Sequence, residues 1–257
     1  MPTKCQLILG DCLTEMPKIA DKSIDMILCD LPYGTTACAW DTIIPFEPLW
    51  EQYKRIIKDN RAIVLIASQP FTSALVMSNI KMFKYEWIWE KAVGSNFATL
   101  KYQPMKEHEN ILVFGKETLK YNPQMQPRKG SGKERSAYTY KSNTISGDAI
   151  RNLKTNRSGE KYDENKRNPS SVQYFNNREK DRGIHPTQKP VALFEYLIKT
   201  YTNEGDLVLD NCAGSGTTGV ACKNTNRNYI LIEIEKKYCD IARKRLANVP
   251  EKLEEWI

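Results

Sequence analysis

Two rhythms of apolar residues alternate along this chain. Short, nearly continuous apolar runs, the mark of strands covered on both faces, occupy residues 6–9, 24–29, 62–67, 207–209 and 229–234. Between them lie stripes at helical spacing. Residues 46, 49, 50, 53, 56 and 57 are apolar within 45–59, and 72–80, 191–201, 217–223 and 237–246 read as helices too. A brief helix is expected over 12–20, and residues 85–89 and 110–114 read as aromatic or β-branched strands closed by Gly115. Strands alternating with helices predict an α/β fold built on a largely parallel sheet.

From about residue 116 to 182 both rhythms stop. Lys, Arg, Asn, Ser, Gly and Tyr dominate, no amphipathic helix emerges, and the segment is expected to be disordered or ordered by a ligand. A chain of 257 residues is therefore read as one domain with a long insertion, divided at 1–115, 116–184 and 185–257.

Charge sharpens this division. The formal charge is +7, yet residues 116–182 hold 16 Lys/Arg against 8 Asp/Glu, so the rest of the chain is close to neutral. Tyr121, Tyr138, Tyr140, Tyr162 and Tyr174 are scattered among those charges. A solvated loop would explain the pattern, but a surface for a polyanion explains its confinement to one segment better. The seven cysteines form no C-x-x-C pair and several lie in apolar runs, as in reduced cytoplasmic proteins. With only His108 and His185, no zinc site is expected. No charged-then-apolar leader opens the sequence, and no apolar stretch approaches the roughly 20 residues of a membrane helix, so a soluble cytoplasmic protein without a membrane partner is expected.

Two loops carry the chemistry. Residues 210–219, Asp-Asn-Cys-Ala-Gly-Ser-Gly-Thr-Thr-Gly, follow the apolar run 207–209 and lead into a helix. Gly214 and Gly216 would let backbone N–H groups approach a ligand with no Cβ in the way, and Thr217 and Thr218 offer hydroxyls at the helix start. Asp30-Leu31-Pro32-Tyr33-Gly34 ends a second strand, and ligands of open α/β sheets collect at such carboxyl ends. Pro32 holds Leu31 extended, so the Asp30 carboxylate and the Leu31 carbonyl become two acceptors for an exocyclic NH₂, with Tyr33 placed to stack on the ring that carries it. Alone, the 30–34 loop reads equally well as an ordinary turn; together with the small-molecule cradle at 210–219 it favours a ligand crevice.

Asp-Leu-Pro-Tyr at 30–33 resembles the Asp-Pro-Pro-Tyr motif of amino-group DNA methyltransferases, and residues 210–218 resemble their S-adenosylmethionine loop. The chain order, with the catalytic motif first, the cofactor loop last and a variable segment between, is similar to the circularly permuted beta group of that family. His185-Pro186-Thr187-Gln188-Lys189-Pro190 matches the same group. The resemblance covers about residues 5–115 and 185–246. It implies a Rossmann-like, circularly permuted methyltransferase fold with a mixed, mostly parallel sheet and residues 116–184 as a target-recognition insertion. Asp30, Leu31, Pro32 and Tyr33 would be catalytic. Gly214 and Gly216, with Asp210 in the same loop, would shape the turn around the methionine moiety of S-adenosylmethionine, Thr217 and Thr218 would lie near its carboxylate, Glu233 near its ribose and Asp11 near its adenine, with Lys189 also on the cofactor. Methyl transfer to N6 of adenine in double-stranded DNA, the base turned out of the helix, is the implied reaction. N4-methylation of cytosine, RNA methylation and a non-catalytic DNA-binding role are the alternatives, and the chain is read as able to form a homodimer. Trp40 is expected to close over the site, whereas His108-Glu109, far from either motif, is expected to take no part. Leu31 stands where the family usually has proline, and Asn211-Cys212 where Pro-Phe is common.

Overall fold

The computed structural model describes residues 5–36, 38, 41–128, 165–178 and 188–250. The expectations for Trp40, for His185-Pro186-Thr187 and for most of the basic segment (129–164 and 179–184) lie outside the described residues. The strands are β1 (Cys5–Leu9), β2 (Ile24–Asp30), β3 (Ile57–Ala67), β4 (Phe83–Ser95), β5 (Lys106–Phe114), β6 (Gln126–Pro127), β7 (Lys166–Arg167), β8 (Val172–Phe175), β9 (Leu207–Asp210) and β10 (Asn228–Glu233). The helices are α1 (Cys12–Glu15), α2 (Phe46–Ile56), α3 (Phe71–Ser78), α4 (Val191–Tyr201), α5 (Thr217–Asn224) and α6 (Lys236–Ala247). The chain separates into two compact units, Pro123–Ser170 and the remainder. In the smaller one β6 pairs antiparallel with β7.

The larger unit holds one eight-stranded sheet in the order β1-β10-β9-β2-β3-β5-β4-β8. From β1 through β3 every pair is parallel; β5 runs antiparallel to both β3 and β4, and β8 pairs parallel with β4. This is the mixed, mostly parallel sheet of an α/β fold. The continuous apolar runs become central strands because both faces are covered. In β2, Ile27 and Cys29 join a core with Leu49, Tyr53 and Ile56 of α2 and Leu75 of α3, while Met26 and Leu28 join the opposite core with Phe194 and Leu197 of α4 and Ala221 of α5. β3 divides in the same way, with Ile63 and Leu65 on one side and Val64 and Ile66 on the other. Among the described residues no helix is long and apolar enough to cross a membrane.

Two elements differ from the sequence reading. The helix expected over 45–59 stops at Ile56, and Ile57 opens β3 opposite Ile24, because a buried β-branched residue satisfies the helical stripe and the strand equally well. The segment expected to lack regular structure contributes β8, whose Val172 aligns with Ile88 and whose Phe175 carbonyl accepts from the Trp89 indole at 3.0 Å. Only Gln173 of its four residues is buried, so the strand carries no apolar signature.

At the amino ends of the strands a buried carboxylate ties three of them together. Asp25 of β2 pairs with Lys58 (2.7 Å) and Arg61 (3.0 Å) of β3 and accepts from the Leu207 amide of β9 (3.1 Å). Removing it leaves Arg61 with Asp206 alone (2.9 Å) and Leu207 N–H without this acceptor. Asp25→Ala is expected to lower stability by about 3 kcal/mol, the modest end for a broken buried pair because Lys58 is 41% exposed. Urea denaturation measures it, and a loss below about 0.5 kcal/mol would show that the pairing is incidental.

Candidate active site

The geometry of the site begins where β9 and β2 lie side by side. After β9 the chain crosses through α5 to β10 on one side, and after β2 it crosses through α2 to β3 on the other. The two connections leave in opposite directions, so a crevice opens at the carboxyl ends of this strand pair. A cavity of about 930 Å³ occupies it, lined by Asp30, Leu31, Pro32 and Tyr33 from the end of β2 and by Asp210, Gly214 and Thr217 from the loop after β9. Asp11, Lys189 and Glu233 line it as well. Ten of the twelve residues singled out from sequence therefore share one cleft.

On the β2 side the Asp30 carboxylate is gripped twice. The Tyr33 hydroxyl donates to Oδ1 at 2.7 Å, and the Lys189 ammonium donates to Oδ2 at 2.7 Å. The Tyr33 ring stacks on Phe71 of α3 with centroids 5.3 Å apart, so one of its faces is already covered. The turn beyond is held by Asp41, whose carboxylate accepts from the backbone N–H groups of Gly34, Thr35 and Thr36 at 2.9, 2.9 and 2.6 Å. Burial works against ionisation of Asp41, but the Thr36 hydroxyl and these amides outweigh it and keep its carboxyl below the usual range.

Lys189 does not stop at Asp30. Its Nζ lies 3.4 Å from Oε2 of Glu109, and Oε1 of Glu109 lies 3.3 Å from Nζ of Lys91. Two cations and two anions thus alternate in a line along the wall of the cleft. Burial pushes the Asp30 carboxyl up in spite of Lys189, whereas at Glu109 the two lysines outweigh burial and pull the carboxyl down. At Lys189 burial is outweighed by Asp30 and Glu109, and the ammonium is held well above its ordinary range. The raised carboxyl of Asp30 makes it a more basic acceptor than an exposed aspartate.

On the β9 side the loop is fixed from several directions. Glu233, at the end of β10, accepts from the Gly214 amide (2.6 Å) and the Glu235 amide (2.8 Å), and burial raises its carboxyl. Asp210 accepts from the Cys212 amide at 3.1 Å and from the Thr218 hydroxyl, with burial raising its carboxyl to about 6. Arg245 of α6 reaches the Ser215 carbonyl (2.8 Å) and the Thr217 hydroxyl (3.3 Å). The Tyr53 hydroxyl of α2 donates to Asn211, one of the two residues that depart from the family pattern. Asp11 caps α1, accepting from the Leu13 and Thr14 amides at 2.8 and 3.2 Å, and still lines the cleft.

Four expectations need correction. Thr218 does not face the cleft; it is fully buried beneath the loop with its hydroxyl on Asp210. Gly216 does not line it either: at φ +79° it sits in the left-handed region, and a Cβ there would meet the Cβ of Ala242 at 2.8 Å. Its lack of a side chain lets the turn adopt this φ and lets α6 pack against it. Lys189, expected on the cofactor, is paired with the β2 carboxylate. Glu109, set aside as remote, stands in the same charged row, because β5 lies next to β3 in the sheet. Lys91 was also missed, although alternation could have found it: Trp87, Trp89 and Lys91 occupy successive inward positions of β4 and all are buried.

A family model for DNA methylase of the N6/N4 type matches residues 24–244. Type II methyltransferase M.HpaI of Haemophilus parainfluenzae is 30% identical, the match covering 94% of this chain and 74% of that protein. DNA adenine methyltransferase YhdJ of Escherichia coli (strain K12) is 27% identical over 93% of this chain and 82% of its own. The crystal structure of the M1.HpyAVI–SAM complex superposes with a TM-score of 0.62 at 26% identity, covering 94% of this chain and all of that one. The cytosine-N4-specific PvuII DNA methyltransferase gives a TM-score of 0.63 at 15% identity, covering 95% and 88%, a likeness of fold.

The tight seat of Gly216 against α6 yields a prediction. Gly216→Ala is expected to cost about 1–3 kcal/mol of stability, through strain at a positive φ and the clash with Ala242, while the folded fraction keeps its affinity for small ligands of the cleft. Thermal melts and calorimetry separate the two effects. An unchanged melting temperature with lost ligand binding would return Gly216 to the ligand.

Proposed function

Because the chain belongs to the N6/N4 DNA methylase family, and so is an S-adenosylmethionine-dependent DNA methyltransferase, we propose that it methylates N6 of adenine in double-stranded DNA. The observation that carries the proposal is the meeting of Asp30-Leu31-Pro32-Tyr33 and the Asp210–Thr217 loop in a single cleft.

The cleft's own groups fit the cofactor. Each oxygen of Glu233 holds one backbone N–H, which leaves acceptor capacity for ribose hydroxyls. Both amides capped by Asp11 bind Oδ1, leaving Oδ2 for an adenine amino group. Gly214 and Thr217 present backbone and hydroxyl to the same space and would hold the methionine end. When bound, S-adenosylmethionine supplies an electrophilic methyl group.

Everything else falls to the chain's residues. An exocyclic amine on an aromatic base is a poor nucleophile because its lone pair is delocalised into the ring. Hydrogen bonds from its two N–H groups to Asp30 and to the Leu31 carbonyl favour a tetrahedral nitrogen and free the lone pair. Pro32 keeps Leu31 extended, Tyr33 fixes the Asp30 carboxylate, and burial makes that carboxylate a more basic acceptor. A base paired in a duplex cannot enter the cleft, so it leaves the stack at a cost of a few kcal/mol, part of which its packing against Tyr33 offsets. Aspartate at the first motif position and the likeness to YhdJ support adenine; N4 of cytosine needs the same two acceptors and is the second reading. The basic insertion, 116–184, would supply DNA recognition through phosphate contacts and base readout.

Four measurements test this. Nucleosides from DNA methylated by the protein should contain N6-methyladenine; N4-methylcytosine alone would replace the first reading with the second. Asp30→Ala should lose methyl transfer by about a thousandfold or more while binding the cofactor as the wild type does, and Tyr33→Phe should cost about tenfold, because the hydroxyl that holds Asp30 is gone. Activity of Asp30→Ala within tenfold of wild type would overturn the mechanism. Replacing residues 123–170 by a short Gly/Ser bridge, which spares β8, should keep cofactor binding and abolish DNA affinity. Wild-type affinity should fall with salt by about −0.9 in the log–log slope for each phosphate contact. Undiminished DNA binding by the deletion variant would move recognition elsewhere.

A further inference from the structure

The proposed amine acceptor is already engaged before an amine arrives. Both oxygens of Asp30 are engaged at 2.7 Å, one by a hydroxyl and one by the ammonium of Lys189. A further donor on Oδ2 would compete with a full cation. The target amine, moreover, gains positive charge as it bonds to the methyl group, and an ammonium seated on the same carboxylate repels it. Productive binding is therefore opposed as long as Lys189 stays where it is.

The same wall holds a second seat for that ammonium. Oε2 of Glu109 is 3.4 Å from Lys189 Nζ, within ion-pair range, yet it is buried and, among the described residues, receives no hydrogen bond of good geometry. Its other oxygen is the one turned to Lys91. A buried carboxylate oxygen without a donor is costly, and here it faces a movable cation lying about as close as a cation can without bonding. A shift of Lys189 of about one ångström would turn that ion pair into a hydrogen-bonded one.

We propose that Glu109 is a positioning residue of the transfer reaction: it takes the ammonium of Lys189 from Asp30 when the target amine enters, leaving Asp30 to the amine and keeping Lys189 paired throughout. The inference rests on the reading of Asp30 as the amine acceptor. Lys91 anchors Glu109 in place by holding Oε1, so the carboxylate need not rotate to serve as the second seat. No bond is made or broken in this step; one hydrogen bond is exchanged for another.

The test is a double-mutant cycle read in steady-state kinetics with DNA as the varied substrate. Glu109→Gln, which keeps the shape but not the charge, should lower kcat by about 10- to 100-fold, with the KM for DNA changing less than about threefold. In a Lys189→Met background, where no ammonium competes for Asp30, the same Glu109→Gln change should cost less than about threefold. Cofactor affinity by calorimetry should stay within about twofold of wild type in all three. An equal cost of Glu109→Gln in both backgrounds would overturn the proposal, as would no cost in the wild-type background. Loss of cofactor binding with Glu109→Gln would also overturn it, by making Glu109 part of the fold. Absence of any methyl transfer to DNA by the wild-type chain would instead refute the underlying reading of the site, and a thousandfold loss in Asp30→Ala would uphold that reading whatever Glu109 does.

Discussion

Everything at the site depends on the place where β9 meets β2. Parallel strands need crossovers, and crossovers that leave an adjacent pair in opposite directions cannot cover the gap between them. The sheet order β10-β9-β2-β3 makes that gap unavoidable here, and both chemical loops open into it. One comes from each end of the chain, so neither alone marks a site. Their convergence is a property of the sheet order, and Asp25, Arg61 and Asp206 fasten the opposite end of the same strands.

The electrostatics of the cleft follow from where its charges are buried. A lone carboxylate at Asp30 would lose much of its hydration, and burial does raise its carboxyl. The alternation Lys91, Glu109, Lys189, Asp30 makes this tolerable, since each inner charge has an opposite neighbour on either side and the row sums to zero. Such an arrangement contributes little net stability, because desolvation consumes most of the attraction. What it provides is a buried carboxylate kept basic and a cation that can trade partners without ever being left alone.

Sequence patterns made part of this legible. The apolar runs at 24–29 and 62–67 identify central strands because both faces of β2 and β3 are covered, and the two motifs were visible as residues that end such strands. Helix ends were less visible where Ile56 and Ile57 suit either element. β8 was invisible, since a four-residue edge strand with only Gln173 buried leaves no apolar rhythm. Glu109 and Lys91 could be recognised only by register: Glu109 lies opposite Trp89 in the β4–β5 ladder, and Lys91 follows Trp89 by two positions on the same face. Gly216 was legible only in part. A glycine in a ligand loop suggests ligand approach, and nothing in the sequence signals that it also accommodates Ala242 of a neighbouring helix.

Residues 188–190 touch both sides of the cleft. Gln188 accepts from the Ser215 hydroxyl of the β9 loop at 3.4 Å, Lys189 reaches Asp30 and Glu109, and Pro190 stands at the start of α4. Ser215 is itself clamped by Arg245, so the strap has one fixed neighbour and one movable charge. Proline at 190 keeps the residue before it out of helical geometry, which lets Lys189 point into the cleft instead of continuing the turn of α4. A cofactor settling against the β9 loop and a base settling against Asp30 would therefore press on adjacent residues of one short segment. Any coupling between the two subsites then needs no distant pathway through the fold, only the shared strap between them.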